Sequence, residues 1–185
     1  MARIRTTRER WIEEGLRALA AGGPDAVRVE ALAKDLGVTK GGFYGSFADR
    51  DALLEAMLDT WEREATDEVL ARVEREGGDP RTRITRAGVL TFSSDRLLPL
   101  DLAVRDWARR DAAVAERLRR VDERRMGLLR ELIGTLCTDP DEVEARSLLA
   151  FCLAIGEHLL TTGHGDRTRA QVLARAADLL VAPSS

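Results

Sequence analysis

A chain of 185 residues is long enough to bury a substantial core, as one domain or as a small domain joined to a larger one. Aromatic residues are only 4%, Ala, Leu and Arg abound, there are five Pro, and β-branched runs are few, a composition that points to an all-α fold. The net charge of −3 speaks against a uniformly basic nucleic-acid coat, yet residues 1–50 carry a net +2 and the rest −5, a modest surplus that ordinary scatter also produces.

The opening residues MARIRTTRERW are charged and hold no apolar stretch, so no signal peptide is expected. A first helix is predicted from Arg5 to about Ala21, with Ile12, Leu16 and Leu19 inward and Gly22-Gly23-Pro24-Asp25 as its stop. Residues 28–50, RVEALAKDLGVTKGGFYGSFADR, then read as two short helices about a Gly-Val turn. Val29, Leu32, Ala33 and Leu36 fall at helical spacing on one face. Gly37 supplies the positive φ a helix stop favours, and Val38 plugs the turn. Thr39 stands where its hydroxyl can cap the second helix. Phe43 and Phe47, four apart, face the core, while Lys40, Tyr44 and Ser46 face outward. Gly41, Gly42 and Gly45 make that helix weak, at about 1 kcal/mol each relative to Ala. They also let it approach base edges closely, and Ala33 permits a tight helix crossing. This is the form of a helix-turn-helix, and the partner it implies is double-stranded DNA. The plain alternative is a helical hairpin in a core with no DNA role.

Beyond the motif, residues 50–76 read as one long helix with Leu53, Leu54, Met57, Leu58, Trp61, Ala65, Val69 and Val73 on a stripe, stopped by Gly77-Gly78. Asp79-Pro80 opens the next, to about Ser94, with Pro at its first position. Leu98 to Arg110 follows. Asp111 caps a long helix through Leu136. Asp139-Pro140-Asp141-Glu142 opens another to about Thr162, with Glu142 placed as in a capping box. Gly163-His164-Gly165-Asp166 breaks the chain, and Arg167 to Val181 forms the last helix, for about nine in all.

Residues 28–50 resemble the operator-binding motif of the tetracycline-repressor (TetR) family, whose members read apolar-Ala-x-x-x-Gly-Val-[Ser/Thr]-Lys-Gly-x-apolar-Tyr-x-x-Phe, then a loop, a Lys or Arg, and a Leu. Leu32, Ala33, Gly37, Val38, Thr39, Lys40, Gly41, Phe43, Tyr44, Phe47, Arg50 and Leu53 match. The match is dense over about the first 55 residues; later only the helical layout agrees. Gly42 stands where the family often has a hydroxyl, Gly45 where it has a larger polar or aromatic residue, Ser46 where it often has His, and Arg28 where it usually has Thr. These departures bear on base specificity, and Arg28 becomes a candidate phosphate contact.

The resemblance implies a DNA-binding domain at 1–50, a ligand-binding and dimerisation domain at 51–185, and a homodimeric repressor released from its operator by a small apolar or amphipathic effector. The DNA-binding set is Arg28, Thr39, Lys40, Gly41, Gly42, Tyr44, Gly45, Ser46 and Arg50. Trp61, Phe92, Trp107, Met126, Phe151 and His158 lie on apolar faces of different helices and are the pocket candidates, although each could simply fill the core. On the last two helices Leu149, Cys152, Gly156 and Leu160, then Val172, Ala176 and Leu179, form stripes suited to a four-helix bundle between two copies. Arg105, Asp106 and Arg109 read as a solvated charged face.

Metal, cofactor and catalytic motifs are not found: there is no HxxxH, HExxH, CxxC, GxSxG, P-loop or GxGxxG, and Glu157 and His158 project about 100° apart on a helix. Cys137 and Cys152 read as buried apolar residues. No run of 18 apolar residues suggests a membrane span, and the cytoplasm is the expected compartment. A helical enzyme with an accidental helix-turn-helix, and a nucleoid-type DNA protein, are the competing readings.

Overall fold

The computed structural model describes residues 6–92, 95–180 and 182, apart from the side chain of Phe92. Every regular element among them is helical: α1 (Arg8–Gly22), α2 (Val29–Asp35), α3 (Lys40–Phe43), α4 (Arg50–Arg63), α5 (Val69–Glu76), α6 (Pro80–Phe92), α7 (Leu97–Ala108), α8 (Ala112–Ile133), α9 (Pro140–Gly156) and α10 (Arg169–Leu180). A π-helical turn, Glu64–Glu68, joins α4 to α5 without a break, so the run counts as one helix and the total is the nine expected. No helix of the described residues is long and apolar enough to cross a membrane.

Most helix ends are set by local chemistry. The Thr7 hydroxyl accepts from Arg10 N at 3.4 Å, which starts α1 at Arg8 and not Arg5; Arg5 lies outside the described residues. Asp49 caps α4 by accepting from Ala52 N at 2.8 Å, and Asp111 caps α8 by accepting from Ala113 N at 2.9 Å. Asp139 accepts from Asp141 N at 3.0 Å at the head of α9, while Glu142 pairs with Arg146. The sequence reading missed a reciprocal cap on α10: Thr168 N donates to Gln171 Oε1 at 2.8 Å, and Gln171 N to Thr168 Oγ1 at 3.2 Å. Two helices end early because their last turns tighten into i→i+3 bonds. α8 stops at Ile133, with Leu136 N donating to Ile133 O at 2.8 Å. α9 stops at Gly156, and Arg169 then donates to the carbonyls of Glu157 and Leu160.

The chain divides into two compact units: Met1–Asp67 with Asp95–Arg120, and Glu68–Ser94 with Val121–Ser185. This division follows packing, whereas the split expected at residue 50 concerned role. In the first unit α1 packs on α2, α4 and α7. Trp11, Leu16 and Leu19 of α1 meet a core that includes Leu53, Met57 and Trp61 of α4, all with essentially no exposure. Ion pairs ring this core. Arg96 holds Glu13 at 2.7 Å and Glu64 at 2.9 Å, and those two carboxylates push its pKa further up. Arg117 of α8 reaches Glu55, Asp59 and Glu62 along α4. Arg105 pairs with the buried Asp101 at 2.8 Å, so part of the charged face expected around Trp107 is engaged in the fold.

In the second unit α6 packs on α5 and α9, and α9 on α10. Val69 and Val73 of α5, with Val121, Leu128, Leu129, Leu132 and Ile133 of α8 and Cys137 after it, are its buried apolar residues. The π turn was not foreseen. Leu53, Met57, Trp61, Ala65, Val69 and Val73 recur strictly every four residues, a spacing that drifts about 40° per step around an α-helix. All six are buried, and the wider π turn in their midst recovers part of that drift.

Trp11→Ala is expected to destabilise the protein by about 3–5 kcal/mol in urea titrations, the range for deleting a fully buried aromatic residue. A loss under about 1 kcal/mol would mean that the first unit does not depend on α1 packing.

Candidate nucleic-acid interface

Two short helices form the motif, and neither holds itself. α2 buries Val29, Leu32 and Ala33. It ends in a Schellman turn: Gly37 takes φ +67°, Gly37 N donates to Lys34 O at 3.1 Å, and Val38 N to Ala33 O at 2.9 Å. α3 is a single turn. Thr39 occupies its N-cap position, but its hydroxyl makes no capping bond; its carbonyl accepts from Gly42 N at 2.9 Å.

Aromatic packing fixes that turn from within. The buried Phe43 ring meets Trp11 edge-on at 5.4 Å and 80°, and stacks on Phe47 at 5.5 Å and 23°. The Arg8 guanidinium covers the Phe47 ring at 4.7 Å. Neither Trp11 nor Arg8 was singled out from sequence, although Trp11 sits four residues before Gly15 and eight before Leu19 on the inward stripe of α1.

The outer surface is short and nearly bare. Lys40, Gly41, Gly42, Tyr44 and Gly45 are exposed, and Ser46 is half-buried. Tyr44 is 57% exposed, with its ring edge-on to Phe43 at 5.3 Å. Gly41, Gly42 and Gly45 do not have positive φ. A Cβ at Gly42 would meet nothing within 4 Å, at Gly41 only Thr39 Oγ1 at 3.9 Å, and at Gly45 only Gly42 O at 3.5 Å. Nothing in the fold of this chain requires glycine at these three positions.

The charged candidates are differently placed from each other. Lys40 Nζ is paired with the Glu30 carboxylate; that hydrogen bond lowers the pKa of Glu30 and raises that of Lys40. Both side chains are exposed, so the pair is weak and a phosphate could replace Glu30. Arg28 is exposed, its Nε donating to Asp25 O at 3.1 Å. Arg50 has a structural task the sequence did not suggest: Nε donates to Val27 O at 2.7 Å and Nη2 to Pro24 O, tying the start of α4 to the loop that enters α2.

The second unit holds a cavity of about 330 Å³ walled by α5, α6, α8, α9 and α10. Of the six pocket candidates, Phe151 lies on its wall. Trp61 and Trp107 are core residues of the first unit, Met126 and His158 are half-buried and off the described wall, and the Phe92 side chain lies outside the described residues. Ring size was a poor guide, because the wall is built mainly from Leu, Val and Ala. Sequence reasoning also missed Arg125, a buried cation on the wall whose signal was its place on the inward stripe of α8 between Val121 and Leu128. His158 Nε2 lies 3.5 Å from Glu157 Oε1, closer than the helical projection suggested, because α9 has already ended at Gly156.

Around α9 and α10 six of the seven expected association residues adjoin one another, Leu149 lining neither groove. Cys152, Gly156, Leu160, Val172 and Ala176 line one groove, and Leu179 adjoins Val172 and Ala176. Leu149, Leu160 and Leu179 are 57%, 60% and 62% exposed. Cys137 is buried as expected, but Cys152 is exposed on this face, because α9 turns that side away from its own unit.

A short helix, a Schellman turn and a one-turn helix with an exposed outer face have the form of a helix-turn-helix. Residues 12–57 match the family model for bacterial regulatory proteins of the tetR family. The fold is shared along the chain with solved structures. One is a regulator from Saccharomonospora viridis in complex with choline (18% identity, 94% of each chain, TM-score 0.76). Another is a TetR-family regulator from Rhodococcus sp. (26% identity, 95% of this chain and 98% of that one, TM-score 0.63). A third is AibR in complex with isovaleryl coenzyme A and operator DNA (15% identity, 96% and 99%, TM-score 0.69). No curated protein matches the chain. Residues 12–57 therefore carry a DNA-binding segment like that of the tetR family, and the chain is a DNA-binding transcriptional regulator whose fold is that of TetR-family structures.

Arg50→Ala removes two charge-assisted bonds to backbone carbonyls, and a loss of about 1–3 kcal/mol in thermal or urea unfolding is expected. Unchanged stability would assign Arg50 to the surface alone.

Proposed function

We propose that the protein is a homodimeric repressor that grips a two-fold operator through residues 28–50 and leaves it when a small apolar or amphipathic molecule fills the cavity of the second unit. One observation carries the operator reading: Gly41, Gly42 and Gly45 lie on the exposed side of α3 and its following turn, in backbone conformations and open space that would accept side chains. Three residues that weaken a helix and serve nothing inside the fold are best explained by a surface that approaches from outside. A major groove is such a surface, since short side chains allow a helix to reach base edges. In this reading Lys40, Tyr44 and Ser46 face the DNA, Arg28 meets phosphate, and Thr39 offers its uncommitted hydroxyl. Arg50 acts through the loop it anchors and through whatever donor remains available.

The effector reading is supported by the cavity itself and by chain continuity. The helical run that begins at the motif with Asp49 and Arg50 carries Val69 and Leu70 to the cavity wall. Occupancy that repositions this run changes the separation of two recognition helices, which must lie about 34–36 Å apart to enter successive grooves. AibR, of similar fold, is described with both operator DNA and isovaleryl coenzyme A, which supports assigning both kinds of site here. Residues 1–50 then serve DNA binding, and residues 51–185 serve effector binding and dimerisation. The protein acts by binding, without catalysis or cofactor, in the cytoplasm where its operator lies.

The dimer is assigned to the exposed apolar face of α9 and α10. Leu149, Leu160 and Leu179 each expose more than half of their surface along or just after these helices, and a second copy would bury them in a four-helix bundle.

A gel shift on the DNA upstream of the gene, against random DNA, tests the function. A discrete complex that random DNA displaces poorly is expected; equal competition would indicate a nucleoid protein, and no shift would remove DNA binding. Gly45→Trp should abolish or redirect that complex with an unchanged melting midpoint, whereas unaltered operator binding would refute the clearance argument. Ala176→Arg should sediment as a monomer and lose operator affinity by about 100-fold or more, because half of the two-fold contacts go. A variant that remains dimeric places the interface elsewhere.

A further inference from the structure

The cavity of the second unit is apolar almost throughout, with a charged group sunk into its wall. Leu128 and Leu129 of α8, Leu153 of α9 and Leu173 of α10 supply hydrocarbon surface. Among the described lining residues the side chains that are both polar and buried are Arg125 and Thr91, at 6% and 3% exposure. Arg125 Nη1 lies 3.6 Å from Asp122 Oδ1, an ion-pair distance longer than a hydrogen bond, and Asp122 itself is partly exposed. A guanidinium in such surroundings interacts strongly with any anion that reaches it, because little water screens the pair. Its planar fork matches a carboxylate with two parallel N–H···O bonds, and Thr91 of α6 brings a hydroxyl to the lining of the same cavity. Glu157, the other charged lining residue, is half-buried beside His158 and disfavours an anionic head next to itself.

Volume limits the rest of the ligand. At about 330 Å³ the cavity is near the lower end of ligand pockets. With roughly 30 Å³ per water-sized group, it holds about eleven non-hydrogen atoms. That accommodates a carboxylate with an aliphatic chain of about eight to ten carbons, and a coenzyme A moiety would have to lie outside it.

We propose that the effector is a free medium-chain monocarboxylate, its head on Arg125 and Thr91 and its chain along Leu128, Leu129, Leu153 and Leu173. This rests on reading the cavity as the effector site, and the probes below separate the two claims.

Calorimetric titration of the full-length protein with decanoate, decanol, decyltrimethylammonium and decanoyl coenzyme A tests it. Decanoate should bind at least about tenfold more tightly than the other three. Equal or tighter binding of decanol, the ammonium compound or the thioester would overturn the carboxylate while leaving an effector cavity. Binding of none would overturn both claims. Arg125→Met should abolish the preference of decanoate over decanol; a preference that persists would remove Arg125 as the seat. Should that variant fail to fold, Gly88→Leu decides the location independently. Gly88 lines the cavity, and a Cβ there meets nothing within 4 Å, so Leu fits the helix and fills the void. Decanoate should then weaken by about tenfold or more while hexanoate changes little. Undiminished decanoate binding to a folded Gly88→Leu protein would place the ligand outside this cavity. Decanoate, and not decanol, is also expected to dissolve the operator complex in gel shifts.

Discussion

The recognition segment exists because aromatic rings hold it. α3 is one turn long, contains Gly41 and Gly42, and lacks a side-chain cap. Helix nucleation alone would leave such a segment unfolded in water. Phe43 and Phe47, stacked on each other and closed by Trp11 and the Arg8 guanidinium, supply from one side what the helix lacks in itself. The arrangement separates two demands. The inner face carries all the packing, so the outer face is free to be as small as the groove requires. Local propensity is violated at Gly41, Gly42 and Gly45 alone in this motif, and departures of that kind gather at functional surfaces.

The frame around the motif has similar logic. The Schellman turn at Gly37 fixes the angle between α2 and α3, and Arg50 fixes the loop before α2. Neither depends on DNA, so the motif is largely preorganised and little ordering has to accompany binding. Lys40 is the exception, since it is already paired with Glu30. An exposed pair of this type is readily exchanged, and it keeps the cation directed while DNA is absent.

The second unit differs in chemistry. Its helices leave a cavity in the middle and leucines on the outside, two features that a self-sufficient small domain avoids. Each is a place where a missing partner would complete the packing. The unbroken run from α4 through the π turn to α5 links the motif to the cavity wall along the chain. Such π turns within α-helices are frequent at functional sites.

The helix-turn-helix was legible because its signals are local. Gly37 for a left-handed stop, Phe43 and Phe47 at four-residue spacing, and the apolar stripe of α2 are properties of consecutive residues, and the structure keeps every one of them. The number of helices followed from Gly, Pro and Asp punctuation in the same way, with ends shifting by a few residues where i→i+3 bonds tightened a last turn. On α9 helical periodicity also groups Leu149 with Gly156, seven residues apart, whatever lies opposite. What sequence could not give depends on residues far apart in the chain. That Arg50 reaches back to Pro24 and Val27, that Trp11 closes on Phe43, and that Trp61 and Trp107 serve a core while Arg125 faces a cavity were decided by tertiary packing. Periodicity tells which face of a helix turns inward; only the neighbouring helices determine whether that face meets another side chain or an empty space.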